Sequence, residues 1–170
     1  MSNLRLLNET NVTSSVSTVN IQDVFTADYD IYKIMVSNTV TDTSSNDLSL
    51  RFLNTSSSAV SGTEYAYGFA RLRSSGANEV LDTDDTKFTT GLGQSNSDLG
   101  LGTVAYVFNP YNYAYTFYSF ESGGMSGTEG RTFIGGGVLK QLNTIGGFQM
   151  IADSNNITQS TIRTFGLRVD

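Results

Sequence analysis

The chain has 170 residues and a formal net charge of −6. This acidic balance excludes the basic patch that nucleic-acid binding needs to replace counterions on phosphates. Cysteine and histidine are both absent, which excludes disulfides, thiolate metal ligands and imidazole catalysis. The N-terminus has no basic segment followed by an apolar leader, and no window of about 18 apolar residues occurs. We therefore expect synthesis in the cytoplasm without a signal peptide, and no membrane partner.

Composition and length together predict one all-β domain. Serine, threonine and asparagine make up about a third of the chain, whereas charged residues make up 15%. Such short polar side chains compete with the helical backbone, and β-branched threonine packs well on a pleated surface. A chain of this length is long enough to bury one substantial core.

The first half of the chain shows alternating apolar patterns separated by polar loops. Residues 1–14 form either an N-terminal arm or a first edge strand, and residues 15–170 form the single predicted domain. Within Asp47–Asn54, the alternation of Leu48, Leu50 and Phe52 with polar residues is typical of a half-buried antiparallel strand. The other strands predicted in this half are Ser15–Phe25, Ile31–Ser37 and Glu64–Arg73.

Small residues follow one face of the predicted strand Glu64–Arg73. Ala66, Gly68 and Ala70 alternate with larger side chains. They indicate either close approach of another layer or chain, or packing under bulky neighbours. The following stretch, residues 74–102, has a weaker pattern, and only residues 79–81 and 87–89 are short strand candidates there.

The most aromatic stretch of the chain, Thr103–Glu121, predicts a long hairpin. Asn109-Pro110-Tyr111-Asn112 supplies the turn, because proline fixes φ and asparagine tolerates the left-handed region. Both faces of the hairpin are apolar, so it must be central to a two-layer core or must meet a partner. We predict its base to be core and its tip to be a contact surface. The candidate contact residues for a partner or a glycan are Tyr111, Asn112, Tyr113, Tyr115 and Tyr118.

Three further strands complete the predicted fold. Arg131–Lys140 contains three consecutive glycines, and Ile145–Ala152 and Thr161–Val169 are expected to close the chain as a pair. The sum is nine or ten strands with essentially no helix. Turns every 8 to 12 residues, or somewhat further apart, predict a single antiparallel, jelly-roll-like β-sandwich.

Both ends of the sequence resemble a family of phage proteins. The opening STVNIQDVFTADYDIYKIMVSN and the close, with Phe165-Gly166-Leu167-Arg168, are similar to virion structural proteins of tailed phages, many of them marine. The family often has tyrosine where this chain has Phe165. The resemblance implies a capsid decoration, head-fibre or tail-appendage component and does not choose among them.

No catalytic motif is present, and we expect no enzyme, cofactor or metal. Asp82, Asp84 and Asp85 supply oxygen atoms of the kind that Ca²⁺ prefers, but their spacing lacks the glycine and distal glutamate of an EF-hand loop. Scattered glutamates include no recognisable carboxylate pair of the glycosidase type. A solvated turn is the simpler interpretation of the aspartates.

The expected function is therefore that of a non-enzymatic structural protein, located in the virion and made in the host cytoplasm. Its expected partners are copies of itself, as a homotrimer, and other virion proteins such as the major capsid or tail proteins. The alternative is a carbohydrate-binding tip of a tail fibre that recognises a host surface glycan, because aromatic faces stack on sugar rings.

Overall fold

A computed structural model describes residues 3–43, 45–97, 100–126 and 128–167. These residues form twelve β-strands and include no helix, and consequently none that is long and apolar enough to cross a membrane. The strands are β1 (Leu4–Val12), β2 (Thr18–Ile21), β3 (Ile31–Thr41), β4 (Asn46–Asn54), β5 (Tyr65–Arg73), β6 (Gly76–Asp85), β7 (Phe88–Ser95), β8 (Leu101–Phe108), β9 (Ala114–Ser126), β10 (Glu129–Asn143), β11 (Ile145–Ala152) and β12 (Ile157–Leu167).

The strands form two antiparallel sheets of unequal width. The larger sheet has eight strands in the order β1-β12-β3-β8-β9-β10-β5-β6, and the smaller has four in the order β2-β11-β4-β7. The prediction of an all-β, antiparallel chain without helix is confirmed. The predicted number of nine or ten strands is wrong, because the described residues contain twelve strands distributed over two sheets.

Two features of the strand pattern explain this correction. β7 is almost entirely buried although its sequence, FTTGLGQS, is rich in glycine and small polar residues. β6 lies at the exposed edge of the larger sheet, where water tolerates polar side chains. Neither strand therefore has the apolar alternation that marks a half-buried strand.

The predicted closing pair of strands is also wrong. β11 lies between β2 and β4 in the smaller sheet, whereas β12 lies between β1 and β3 in the larger one. The two strands are consecutive in sequence but belong to opposite layers. The predicted second member of the pair extended to residues 168 and 169, which lie outside the described residues.

The core lies between the two sheets and is built around aromatic rings. Phe88 of β7 stacks on Tyr118 of β9 with ring centroids 4.9 Å apart, and it meets Tyr65 of β5 edge-on at the same distance. The Tyr65 hydroxyl donates to the Val60 carbonyl and accepts from the Phe52 N–H, both at 2.9 Å. These contacts join strands of both layers, and the buried hydroxyl is satisfied as a buried polar group must be.

Residues 4–12 form the edge strand of the larger sheet. β1 pairs with β12 from Leu4↔Leu167 to Val12↔Ser160, with a register shift between Leu6 and Asn8. Arg163 forms an ion pair with Glu9 across this pairing, Nε to Oε2, at 2.6 Å. Of the two alternatives for the predicted segment 1–14, the structure has the edge strand in its described part.

Candidate interaction surface

The larger sheet has one face packed on the smaller sheet and one face turned away from it, which we call the outer face. On β8, Ala105 and Val107 are fully buried, so the alternating Val104, Tyr106 and Phe108 lie on the outer face. The same alternation places apolar or small residues of the neighbouring strands beside them. They are Leu6, Ala66, Gly68, Ala70, Leu72, Leu81, Tyr115, Phe117, Ile134, Val138, Phe165, Leu167, Ile31 and Met35.

The exposed apolar residues of the protein are concentrated on this face. Nine large hydrophobic side chains are exposed among the described residues, and six of them belong to the outer face. Leu81 reaches 73% exposure and Ile134 48%. The six are Leu6, Leu72, Leu81, Tyr115, Phe117 and Ile134. Single exposed apolar residues are ordinary on protein surfaces, but a contiguous group marks an interaction site.

The strand register makes the apolar residues of the outer face continuous. Ile31 of β3 pairs with Phe108, Phe108 with Phe117, and Phe117 with Val138 of β10. Leu167 extends this row on one side and Ala66 on the other. One row of apolar residues therefore crosses six neighbouring strands.

The corresponding outward face of the smaller sheet is polar. Gln149 donates to Asn20 Oδ1 at 2.9 Å, and Arg51 Nε donates to the Thr86 carbonyl at 3.1 Å. Lys87 and Asp153 form an ion pair at 2.6 Å beside it. The two outward faces of the molecule thus differ in chemistry, and the smaller sheet presents the one suited to water.

A shallow groove crosses the outer face between β8 and β9. Its floor is the directly paired Gly102 and Gly123, and no atom lies within 4 Å of the place where a side chain would start at either glycine. Met35, Val104 and Glu121 are among the residues that line its volume of about 540 Å³. The groove is open to solvent and mainly apolar.

Few charged residues interrupt the outer face. Lys33 of β3 and Glu121 of β9 both point outward, and neither forms a hydrogen bond or an ion pair within the described parts of the chain. Arg163 is already paired with Glu9, and Glu79 lies at the edge of the sheet on β6. The carboxylate and ammonium of Glu121 and Lys33 are therefore the free charges nearest the middle of the sheet.

The hairpin predicted to be the contact site is present, and its turn is anchored. β8 and β9 pair from Gly102↔Gly123 to Phe108↔Phe117. Asn109 has φ +56°, the left-handed conformation expected of an asparagine in this turn, and its N–H donates to the Asp30 carbonyl at 2.7 Å. Ile145 N–H donates to the Pro110 carbonyl at 2.7 Å.

The five predicted contact residues fall into different environments. Tyr113 is 75% exposed at the tip, and Asn112 lies beside it with its amide 3.4 Å from Asp30 Oδ1. Tyr111 turns toward a small cavity of about 140 Å³ that Phe25 and Thr26 also line. Tyr115 belongs to the outer face. The tip and the outer face are therefore two neighbouring surfaces rather than one.

Tyr118 lies in the core and not on the predicted contact surface. Its side chain is only 3% exposed and its hydroxyl donates to the Gly91 carbonyl. Burial raises the pKa of this hydroxyl well above its ordinary value. Alternation along β9 explains the placement, because even-numbered residues from Thr116 to Ser122 face the smaller sheet.

The aspartates considered for Ca²⁺ have protein partners. Asp84 forms an ion pair with Lys140 at 3.1 Å, and Asp85 accepts from Tyr67 at 2.8 Å and Thr89 at 2.7 Å. Asp82 accepts from the Asp84 N–H at 3.0 Å. Within the described ranges, no three acidic residues are grouped as a metal site.

One half-buried carboxyl lies at the end of the smaller sheet. Asp47 accepts a hydrogen bond from Gln94, whose amide oxygen in turn accepts from Arg131. Burial raises the pKa of Asp47, and the neighbouring Asp153 acts in the same direction. This network joins β4, β7 and β10, and it holds the two layers together at that end.

Comparisons with known proteins do not assign a family. No protein-family model matches the chain, and no curated protein matches it. A family 7 alginate lyase, A1-II′, is 8% identical, with 89% of this chain and 66% of that chain covered and a TM-score of 0.25. The laminarinase catalytic domain from Thermotoga maritima MSB8 is 10% identical over 95% of this chain and 77% of that chain, with a TM-score of 0.27.

A viral structure is similar at the same low level. Infectious bursal disease virus, Gx strain, is 9% identical, and the match covers 96% of this chain but 38% of that chain, with a TM-score of 0.19. All three TM-scores lie far below 0.5, so these likenesses carry no argument about function.

Proposed function

We propose that the chain is a non-enzymatic structural subunit of a tailed-phage virion, a capsid decoration or head or tail appendage protein, which assembles through its outer face. The observation that carries this proposal is the uncovered apolar face of the larger sheet. The resemblance of the chain ends to virion structural proteins supplies the setting.

The size of the outer face supports an assembly role. Strands lie about 4.8 Å apart and outward residues repeat about every 6.7 Å, so six strands with three or four such residues each span roughly 700 Å². This footprint includes the positions of Lys33, Ser119 and Glu121, and it compares with about 300–600 Å² for the largest apolar patch on a typical monomer. At about 25 cal/mol for each Å² of apolar surface, covering this face would provide a large driving force for association.

The strand order supports a jelly-roll architecture for this subunit. We infer an eight-stranded jelly roll with β1-β12-β3-β8 in one layer and β2-β11-β4-β7 in the other, into which two hairpin-like insertions are built. β5 and β6 form one insertion, and β9 and β10 the other. Both insertions widen the same layer, and this widening creates much of the outer face.

Incorporation into particles tests the proposed function. Antibody raised against the purified chain would be used for immunogold microscopy of density-gradient-purified particles from the phage that encodes it. We expect regular labelling of heads or tails, and we expect mass spectrometry to find the chain in the particle fraction at stoichiometric amounts. Particles free of the chain, with all of it in the soluble lysate, would contradict the proposal.

The exposed tyrosines at the hairpin tip support a second candidate function, recognition of a host surface glycan. Tyr113 is 75% exposed and Tyr111 is 37% exposed, and such rings can stack on sugars. A glycan array would test it. Binding that Tyr113→Ala abolishes and that Leu142→Ala, at another exposed apolar position, preserves would favour this function, whereas an array without signal would remove it.

A further inference from the structure

Lys33 and Glu121, the two free charges nearest the middle of the outer face, lie symmetrically about it, whereas the Glu79 carboxylate lies far from it on the edge strand β6. Lys33 of β3 is level with Tyr106 of β8, and Glu121 of β9 is level with Val104 of β8. The two charged positions are thus separated by two strand spacings across the sheet and by one two-residue repeat along the strands. Together these give a distance of about 12 Å. Their midpoint falls on β8 between Tyr106 and Val104.

β8 is close to the centre of the larger sheet. Three strands lie on one side of it and four on the other. A two-fold axis that runs between two facing copies, over this midpoint and perpendicular to the line from Lys33 to Glu121, exchanges the two positions. Each Lys33 then lies over Glu121 of the facing copy, and the apolar rows of the two copies cover each other.

We propose that the outer face binds a second copy of this chain through this two-fold axis, with Lys33 and Glu121 forming two symmetric ion pairs across the interface. The inference rests on the proposed function, since it names the partner of the same face. Self-complementarity is the reason to choose a second copy: the two free charges nearest the middle have opposite signs and lie one on each side of the axis, as an isologous contact requires.

The area and the cost of burying charge point to the same partner. A face of roughly 700 Å² is close to the ~800 Å² per partner of a standard specific interface. A lone charge covered by an apolar partner surface loses its hydration without compensation. In the two-fold arrangement each of these charges receives an opposite charge, so the middle of the face can be covered without an unpaired ion.

A closed two-fold contact gives an even number of copies. It therefore replaces the homotrimer that we expected from the sequence as the basic unit of assembly. Light scattering coupled to size exclusion of the full chain should give twice the 18.4 kDa mass of one chain at micromolar concentration.

Charge reversal tests the axis itself. We expect Lys33→Glu and Glu121→Lys each to weaken dimerisation at least about tenfold, because each places like charges opposite one another twice per dimer. The double variant Lys33→Glu/Glu121→Lys restores opposite charges and should return to within about threefold of the wild-type dissociation constant. Arg5→Glu, an exposed change of the same size on β1, is the matched control and should leave dimerisation unchanged.

Each other outcome overturns the inference. A monomer at 100 μM or a trimeric mass would exclude the two-fold contact, and a dimer insensitive to both single reversals would exclude this axis. Failure of the double variant to recover, with circular dichroism spectra matching the wild type, would do the same. Particle labelling is independent of these results, so a monomeric chain that is present in virions would refute the inference and leave the proposed function standing.

Discussion

Tyr113 and Tyr118 stand five positions apart in one hairpin and lie in opposite environments. Tyr113 is largely exposed at the tip, whereas Tyr118 is stacked between Phe88 and Phe120 with its hydroxyl bonded to a backbone carbonyl. The sequence pattern alone did not separate them, because the whole hairpin is aromatic. The turn length and the alternation along β9 decide which ring faces inward.

Substitution of these two tyrosines should affect stability very differently. We expect Tyr118→Ala to lower the free energy of unfolding by about 3–5 kcal/mol, because it leaves a cavity between aromatic rings. Tyr113→Ala should change it by less than about 0.5 kcal/mol. Urea unfolding followed by tyrosine fluorescence measures both values, and equal effects would contradict the assigned environments.

Asp47 should make stability depend on pH. Burial raises its pKa, so below the unfolded value of about 3.9 the group is protonated in both states and contributes nothing. As the pH rises past that value, the unfolded chain ionises first, so the free energy of unfolding falls until the pH exceeds the pKa of Asp47 in the folded protein. Asp47→Asn keeps an acceptor for Gln94 and removes that loss of stability.

The measurement is the melting temperature of both proteins across pH. We expect the variant to melt above the wild type at pH 7 and the difference to vanish near pH 3. Asp28→Asn, a change of the same kind in an exposed turn, should show no such gain at pH 7. A wild type that is more stable than Asp47→Asn at pH 7 would show that the hydrogen bonds of the carboxylate outweigh its burial.

At the scale of elements, strands with one apolar face were predictable and strands built on small residues were not. The alternation of Leu48, Leu50 and Phe52 correctly predicts β4 and its inward face. β7 escapes the same reasoning because Gly91 and Gly93 lie in a buried strand, where close approach to neighbours replaces side-chain burial. Periodicity detects side chains that fill space, not backbone that fits against backbone.

The candidate surface was partly predictable for the same reason. The hairpin Thr103–Glu121 is apolar on both faces, and this pattern correctly indicates a strand pair that lies in the middle of its sheet. Ala66, Gly68 and Ala70 also lie on the outer face. At Gly68 the structure has the alternative of packing under a bulky neighbour, because a methyl group there would meet the Leu81 side chain at 2.8 Å. The row from Ile31 to Val138 was not predictable, because it depends on the pairing register of four separate strands.

Two adjacent glycines of β9 provide a test of which face is uncovered. A methyl group at Gly123 would point into open space, whereas one at Gly124 would meet the Gln94 carbonyl oxygen at 2.7 Å. We expect Gly124→Ala to destabilise the fold by about 1–3 kcal/mol through overpacking. Gly123→Ala should leave the free energy of unfolding of the monomer unchanged or slightly increased. Chemical denaturation compares the pair, and a reversed order would contradict the assignment of the two faces.

At the scale of the whole molecule, the unequal width of the sheets defines the surface chemistry. The sheet of four strands is too small to cover both faces of the sheet of eight strands. The inner face of the larger sheet obtains its cover from the smaller sheet, and its outer face has none among the described residues. This imbalance, rather than any single residue, is the physical reason to expect an assembled protein.

Assembly through the outer face should couple stability to concentration. A contact made only by folded chains raises the melting temperature as protein concentration rises. We expect this rise for the wild type between 1 and 100 μM, and we expect Ile134→Arg to abolish it while the variant still folds. Thr128→Arg, outside the outer face, is the control that should keep the dependence. A wild-type melting temperature that is independent of concentration would contradict assembly by this face.

The pairing of β1 with β12 also has a consequence for how the protein is made. The hydrogen bond between Thr161 and Asn11 joins residues 150 positions apart, and β12 separates β1 from β3. During synthesis on the ribosome, β1 therefore cannot pair within the sheet until β12 has emerged. Folding dominated by such distant pairings is slow, and its intermediates expose strand edges to other chains. Cellular yield should therefore depend on how fast the last strand closes the sheet, with chaperones shielding the nascent chain until it does.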